Sequence, residues 1–396
     1  MMTPPESHPA ANRRTQTVIS LINILAEQGV VLVRGTRGSG KTYLCQLLWQ
    51  HLTALNVKAV VIHNFPRDLE GRPASKYLIE ACQQQEVPVS EDSILLQNLV
   101  FIIDDAQTTY DNPELWSLLH LANQARINNT PGTYFCLFSA FGTPDQGVMP
   151  HNIGSGSLVF KENQRVAMSE NFLTDSQENE TTLFYNIFEC EAVIECYLRG
   201  LPFQICEYVK MDIFSLTKGY PGLVKAMIHV CTRIYHSYLK MRNVHMVDSY
   251  HFGLFVRETY CIAACLLDNA CFESLPLISN VLFPPEEEFK ILCDAVRDGV
   301  PFDPRNQPLL RCLEQGWLHM EEDMERDSTD EEELEEEDLE HKFKCYFPTP
   351  LHYIIMEYLI GVKNSKLPVP FILDNVAFNS KAEEMRLDYA MRMLII

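Results

Sequence analysis

No uncharged apolar run in the 396 residues approaches the length of about 18 that spans a bilayer, so a membrane-embedded helix is excluded and no membrane partner is expected. Nor do the first twenty residues, with Pro4, Pro5, Pro9, Arg13 and Arg14, carry the apolar segment of a secretory signal. Residues 1–16 are expected as a disordered leader, and the cytoplasm or nucleus as the compartment. Thirteen cysteines are many, but the number is odd and no Cys-x-x-Cys pair occurs. Cys261, Cys265 and Cys271 fall in apolar helical patterns, where a buried thiol is the ordinary state. These features imply a reducing compartment and exclude structural zinc. Gly-x-Ser-x-Gly and His-Glu-x-x-His are also absent, which removes the serine-hydrolase and zinc-protease readings. No basic stripe is interleaved with aromatics, and an acidic total opposes non-specific binding to nucleic acid.

That acidity is local. Between Glu321 and Glu340 fourteen acids stand against Arg326 alone, so twenty residues hold −13 of the net −21 and the other 376 hold −8. A run of this kind repels itself and cannot offset the entropy of ordering. Residues 320–340 are therefore expected as a disordered insertion; an acidic tract that mimics nucleic acid or docks on a basic partner is the alternative.

What the chain does carry is an apolar stretch, Val30 to Val33, leading through Arg34 into Gly35-Thr36-Arg37-Gly38-Ser39-Gly40-Lys41-Thr42. The spacing Gly-x-x-x-x-Gly-Lys-Thr is that of a phosphate-binding loop. Its glycines let successive N–H groups turn inward on a phosphate, and Lys41 adds a positive point charge. Thr42 can offer its hydroxyl to Mg²⁺, while the helix that follows turns its positive N-terminal end to the same phosphates. A second apolar run, Leu99 to Ile103, ends in Asp104-Asp105. Acids at the carboxyl end of a buried parallel strand stand where the sheet opens onto its ligand. Asp104 is expected to hold the Mg²⁺, and Asp105, one residue on, to polarise the attacking water. Two adjacent acids favour an ATPase of the additional-strand type over a nucleotide kinase. No guanine-reading Asn-Lys-x-Asp run is present, so ATP is the expected nucleotide, with Lys41 and Asp105 as the catalytic pair.

Along the chain, helical spacing over Thr17–Gln28 precedes the first strand. Further strands are expected at 58–63, 99–105, 133–138 and 165–168, with a helix at 113–127. Strands alternating with helices argue a parallel sheet. After Asp175 the strand signals fade into helical spacing over 181–200, 204–220 and 223–241, interrupted at Thr217-Lys218-Gly219-Tyr220-Pro221-Gly222. Two or three short helices within 277–318, an interrupted hairpin at 316–348 and a helix from Pro350 fit a winged-helix-like domain, with the acidic insertion in the hairpin. The expected organisation is an ATPase core at 17–172, a helical lid at 173–270 and the winged-helix-like domain at 271–396.

The loop and Phe101–Gln107, joined by Leu137–Pro144, Leu216–Gly222 and Phe347–His352 in that order, resemble the ATPase region of fungal Crinkler-type proteins, and more broadly the STAND branch of AAA-like ATPases. The resemblance covers about residues 17 to 390. It implies a three-layer P-loop NTPase core, a lid and a winged helix. In STAND proteins a Gly-x-Pro segment sets proline against the adenine, which falls on Gly219 and Pro221, and a winged-helix histidine touching the β-phosphate falls on His352. The chain departs from the pattern in lacking the Leu-Phe-Leu-Ala-Lys translocation motif and a C-terminal nuclease, so neither an effector role nor DNA cleavage is expected. Where many STAND cores have an arginine after the fourth strand, this chain has Ser139-Ala140-Phe141. The expected function is an ATP-hydrolysing switch with an unidentified protein partner or self-association. A non-hydrolysing nucleotide-dependent interaction module and a DNA-acting ATPase are the alternatives.

Overall fold

The computed structural model describes residues 14–36, 38–89, 91–128, 130, 132–140, 160–166, 168, 181–257, 285–303, 305–322 and 343–363. Five strands, β1 (Val30–Arg34), β2 (Lys58–His63), β3 (Leu99–Asp104), β4 (Tyr134–Ser139) and β5 (Arg165–Val166), form one parallel sheet in the order β2-β3-β4-β1-β5. Strand β4 stands between β1 and β3, with Val31 opposite Cys136 and Phe101 opposite Phe135. This is the additional strand that the paired acids suggested, and the core is the expected three-layer α/β fold.

Alternation along each strand divides its side chains between two apolar layers, which is why the strand interiors are apolar on both faces and polar residues such as Arg34, Lys58, His63 and Asp104 stand at strand ends. Val30, Leu32, Phe101, Ile103, Phe135 and Leu137 face helices α3 (Ala74–Gln84) and α4 (Pro113–Ile127), where Leu78, Trp116 and Leu119 are buried. Val31, Val33, Ile102, Cys136 and Phe138 face α1 (Thr15–Gln28) and α2 (Lys41–Ala54). Helix α4 starts where its sequence says it should. Asn112 Oδ1 accepts the Leu115 N–H at 2.9 Å, and Pro113 occupies the first turn, where a missing donor costs nothing.

Residues 14–16 of the leader expected over 1–16 belong to the folded body. Helix α1 starts at Thr15, and Arg14 is only 1% exposed. Its guanidinium donates to the carbonyls of Thr182 (2.9 Å), Leu183 (2.9 Å) and Phe184 (3.2 Å) and pairs with Glu189 at 3.4 Å, drawing residues 14–16 into the body.

Beyond the sheet lie helices Ile187–Leu198, Glu207–Thr217, Pro221–Ile234 and Ser249–Arg257, with a short parallel pairing of Gln204–Ile205 on Met246–Val247. Helices Glu286–Asp298, Gln307–Glu314 and Pro350–Lys363 accompany a three-stranded antiparallel sheet in which Phe343–Tyr346 lies between Val300–Pro301 and His319–Glu322. The acidic insertion expected over 320–340 therefore starts as strand: Met320 to Glu322 pair with Cys345 to Phe343, and residues 323–342 lie outside the described residues. A single apolar cluster runs from Val31 and Val33 through Leu183, Tyr220 and Leu223 to Leu351 and Ile355, which sets the 217–222 break and the start of the Pro350 helix close to β1. Among the described residues no helix is long and apolar enough to cross a membrane.

Candidate functional site

The loop between β1 and α2 turns on glycines. Gly38 and Gly40 take φ +83° and +91°, which β-carbon sterics deny to most residues. Arg37 lies outside the described residues. A β-carbon on Gly35 would stand 2.1 Å from Leu183 Cδ2 and 2.7 Å from Ser39 Oγ, so only glycine lets the chain pass. Lys41 is buried, and its Nζ donates to the loop's own carbonyls, Gly35 O at 2.7 Å and Thr36 O at 2.9 Å. Ser39 is fully buried, and its Oγ has no hydrogen-bond partner among the described residues. A hydroxyl so held costs about 1–3 kcal/mol until something bonds it, and a polar ligand in the loop is the natural remedy. Thr42 is exposed at the second position of α2.

The acids stand at the same edge of the sheet. Asp104 ends β3 and is 3% exposed. Its Oδ1 accepts the Asp105 N–H at 3.1 Å, and its Oδ2 lies 3.4 Å from Nδ1 of His63, the residue opposite it on β2. Burial first, and the Asp104 carboxylate second, push the Cys45 thiol of α2 up. Asp105 adopts the left-handed conformation (φ +53°), which turns the chain off the strand into the 3-10 turn Ala106–Thr109. Its Oδ1 accepts from Gln107 Nε2 at 3.1 Å, and Gln107 Oε1 accepts the Ala140 N–H at 3.0 Å. The loop reaches the same place, since the Gly35 N–H donates to Ser139 O at 3.0 Å.

Two later segments approach the loop. Gly219 has φ +74°, and a β-carbon there would stand 1.9 Å from Tyr185 O; the Tyr185 N–H donates to Gly219 O at 2.9 Å. Pro221 Cγ lies 3.1 Å from where a Gly40 β-carbon would stand. Between them Tyr220 is buried, its hydroxyl accepting from Thr36 Oγ1 at 3.3 Å. The His352 ring is 5.4 Å from the Tyr220 ring, and its Nδ1 is 2.8 Å from Thr349 Oγ1. Burial, and then the charge of His319, lower the His352 pKa to about 3, so it is neutral at physiological pH.

Gly35, Thr36, Gly38 to Lys41, Gly219, Pro221 and His352 are thus joined by direct contacts or by one intervening residue, and Asp104 and Asp105 reach the loop through Gln107 and the Ser139–Ala140 peptide. His352 is tied to the loop through Tyr220. The sequence reading assigned no role to Gln107 or Tyr220, although both stand inside motifs it used. Arg14, placed in the leader, is the clamp that holds Leu183 over Gly35.

The site's chemistry suits an anionic ligand with a hard cation. The loop offers backbone N–H groups, an ammonium and an unpartnered hydroxyl, while Asp104 and Thr42 offer oxygen donors of the kind Mg²⁺ takes.

No protein-family model matches the chain, and no curated protein matches it. Among solved structures it is similar to a Walker-type ATPase of Pyrococcus abyssi, at 14% identity and a TM-score of 0.44, over 87% of this chain and 95% of that one. It is also similar to the RuvB Holliday junction branch migration motor of Thermotoga maritima, at 15% identity and TM-score 0.34, over 77% and 88%. A third match is to Drosophila ORC bound to DNA, at 10% and 0.36, over 92% and 98%. Likeness this distant transfers neither substrate nor assembly.

Proposed function

We propose that this chain binds ATP with Mg²⁺ in the 35–42 loop and hydrolyses it as a nucleotide-dependent switch. Lys41 would exchange the Gly35 and Thr36 carbonyls for phosphate oxygens, and Ser39 would gain the partner it lacks. Thr42 and Asp104 would hold the metal, which when bound offsets phosphate charge. Asp105 would orient the attacking water and accept its proton. The observation that carries this reading is the meeting of loop and acids at one edge of the sheet: Gly35 bonds the Ser139 carbonyl, and Asp105 is joined through Gln107 to Ala140.

The narrower reading, a STAND-type switch of the Crinkler kind, is supported by the Gly219–Pro221 segment against Gly40 and by His352 behind Tyr220. In it, the helices from 187 and from 350 would respond to the nucleotide, and the response would be read by a protein partner or a second copy of the chain.

The test is binding of a fluorescent ATP analogue alongside phosphate release. Lys41→Ala should weaken binding about 10- to 100-fold, the worth of charge-assisted phosphate contacts. Asp105→Asn should bind as the wild type does yet turn over about 100-fold more slowly. A wild-type chain that fails to bind ATP with Mg²⁺ would overturn the reading.

A further inference from the structure

One peptide group of β4 touches both halves of the site. Its carbonyl, on Ser139, accepts the Gly35 N–H at 3.0 Å, and its N–H, on Ala140, donates to Gln107 Oε1 at 3.0 Å. The other end of the Gln107 amide donates to Asp105 Oδ1 at 3.1 Å. Every bond in this chain points the same way, from Gly35 through Ser139–Ala140 and the Gln107 amide to Asp105. Amides aligned head to tail polarise one another, so each link strengthens the next. The support beneath is rigid. Thr108 Oγ1 and Thr109 Oγ1 bond back to the carbonyls of Asp105 (3.0 Å) and Ala106 (2.7 Å), Trp116 Nε1 bonds Thr109 O at 3.0 Å, and Tyr110 and Ser139 join hydroxyls at 2.6 Å.

We propose that Gln107 is the positioning residue for Asp105, linking that acid to the phosphate-binding loop through the Ser139–Ala140 peptide. The proposal rests on the hydrolysis reading above and deepens it. A primary amide suits this place. It must accept from a backbone N–H at one atom and donate to a carboxylate at the other. Glutamate would keep the first bond and set a second carboxylate against Asp105; leucine would make neither bond. With Oδ1 engaged by Gln107, Asp105 is held in one orientation and keeps Oδ2 for water. A shift of Gly35 as the loop fills would move the same peptide, and the acid with it.

The experiment compares wild type, Gln107→Leu, Gln107→Glu, Asp105→Asn and the Gln107→Leu/Asp105→Asn double variant, full-length, by phosphate release, fluorescent ATP-analogue binding and exchange of the Ala140 amide. Gln107→Leu should slow turnover about 10- to 100-fold while leaving the Kd within about twofold. The double variant should be no slower than Asp105→Asn alone, because a residue that acts through another adds nothing once that one is gone. In Gln107→Glu the acidic limb of the pH–rate profile should move upward, since adjacent carboxylates hold a proton more tightly. Unchanged turnover in Gln107→Leu, losses that multiply in the double variant, or a parallel loss of binding would overturn the proposal. If the wild type binds but does not turn over, the hydrolysis reading fails by itself and amide exchange decides the link. Ala140 should be protected in the wild type and in Asp105→Asn, and should exchange about tenfold faster or more in Gln107→Leu; an Ala140 amide that exchanges alike in all three refutes it.

Discussion

A guanidinium carries more donors than most buried sites can satisfy, and Arg14 is satisfied by three consecutive carbonyls, 182 to 184, and by Glu189. Removing it would leave those carbonyls and the buried carboxylate short of a cation. Arg14→Ala is therefore expected to lower the stability of the chain by about 3–5 kcal/mol, read by urea unfolding. Arg14→Lys should restore only part of this, because three donors on a single nitrogen cannot span the three carbonyls and the Glu189 carboxylate that Nε, Nη1 and Nη2 reach together. His352 gives a second prediction. Its pKa falls from 6.5 to about 3 on burial, so the folded chain holds it neutral. Above pH 6.5 both states bind the same protons and nothing is lost. Below 6.5 the unfolded chain takes up a proton that the folded chain refuses, and stability declines by up to about 1.4 kcal/mol per pH unit until pH approaches the folded value. The melting temperature of His352→Phe should thus fall less steeply than that of the wild type between pH 7 and about 5; parallel curves would show that His352 titrates freely.

Among the elements, the 217–222 break has the least room for change. At Gly219 a β-carbon would meet the Tyr185 carbonyl oxygen at 1.9 Å, and φ is +74°. Gly219→Ala must therefore move backbone, and the Tyr185 N–H bond to Gly219 O goes with it. A loss of about 2–4 kcal/mol is expected, with weaker nucleotide-analogue binding as Tyr220 and Pro221 withdraw from Thr36 and Gly40. A variant as stable as wild type would mean that the segment can re-route. How far each element could be read from its residues follows from whether its cause is local. Strands β1 and β3 are buried on both faces, so their interiors are apolar, and the glycine loop and terminal acids mark their carboxyl ends. Helix α4 announces its start through Asn112 and Pro113. Helix α3 has its buried Ala74, Leu78, Ala81 and Cys82 at helical spacing, but three of these four side chains are small, so the face is a weak apolar signal in the sequence. Strand Val300–Pro301 has two residues and no period at all. The site divides in the same way. Its loop and acids lie within continuous motifs, but what Gln107 does is decided by Ala140, and what Arg14 does by carbonyls 168 to 170 residues away. No window of sequence contains those partners.

Across the whole molecule, one apolar cluster joins the α1–α2 face of the sheet to Leu223, Met227 and Val230 of the helix after the break, and to Leu351, Ile355 and Leu359 of the last described helix. Parts that share a core unfold together, so a ligand bound at the 35–42 loop should stabilise all of them alike. At a free ATP concentration of 100 times Kd, with Mg²⁺ in excess, the gain is about 2.7 kcal/mol, which for a chain of this length raises the melting temperature by a few degrees. Lys41→Ala, binding about 10- to 100-fold more weakly, should keep only about 0.4–1.4 kcal/mol of this gain at the same ATP concentration. Hydrogen exchange followed by peptide mass spectrometry gives the spatial reading. Amides of β1, of Pro221–Ile234 and of Pro350–Lys363 should gain protection by similar factors when the nucleotide is added. Protection gained by β1 and α2 alone would show that the later helices open separately from the sheet. The Tyr220 contacts with Thr36 and His352 would then be too weak to carry a nucleotide signal across the molecule.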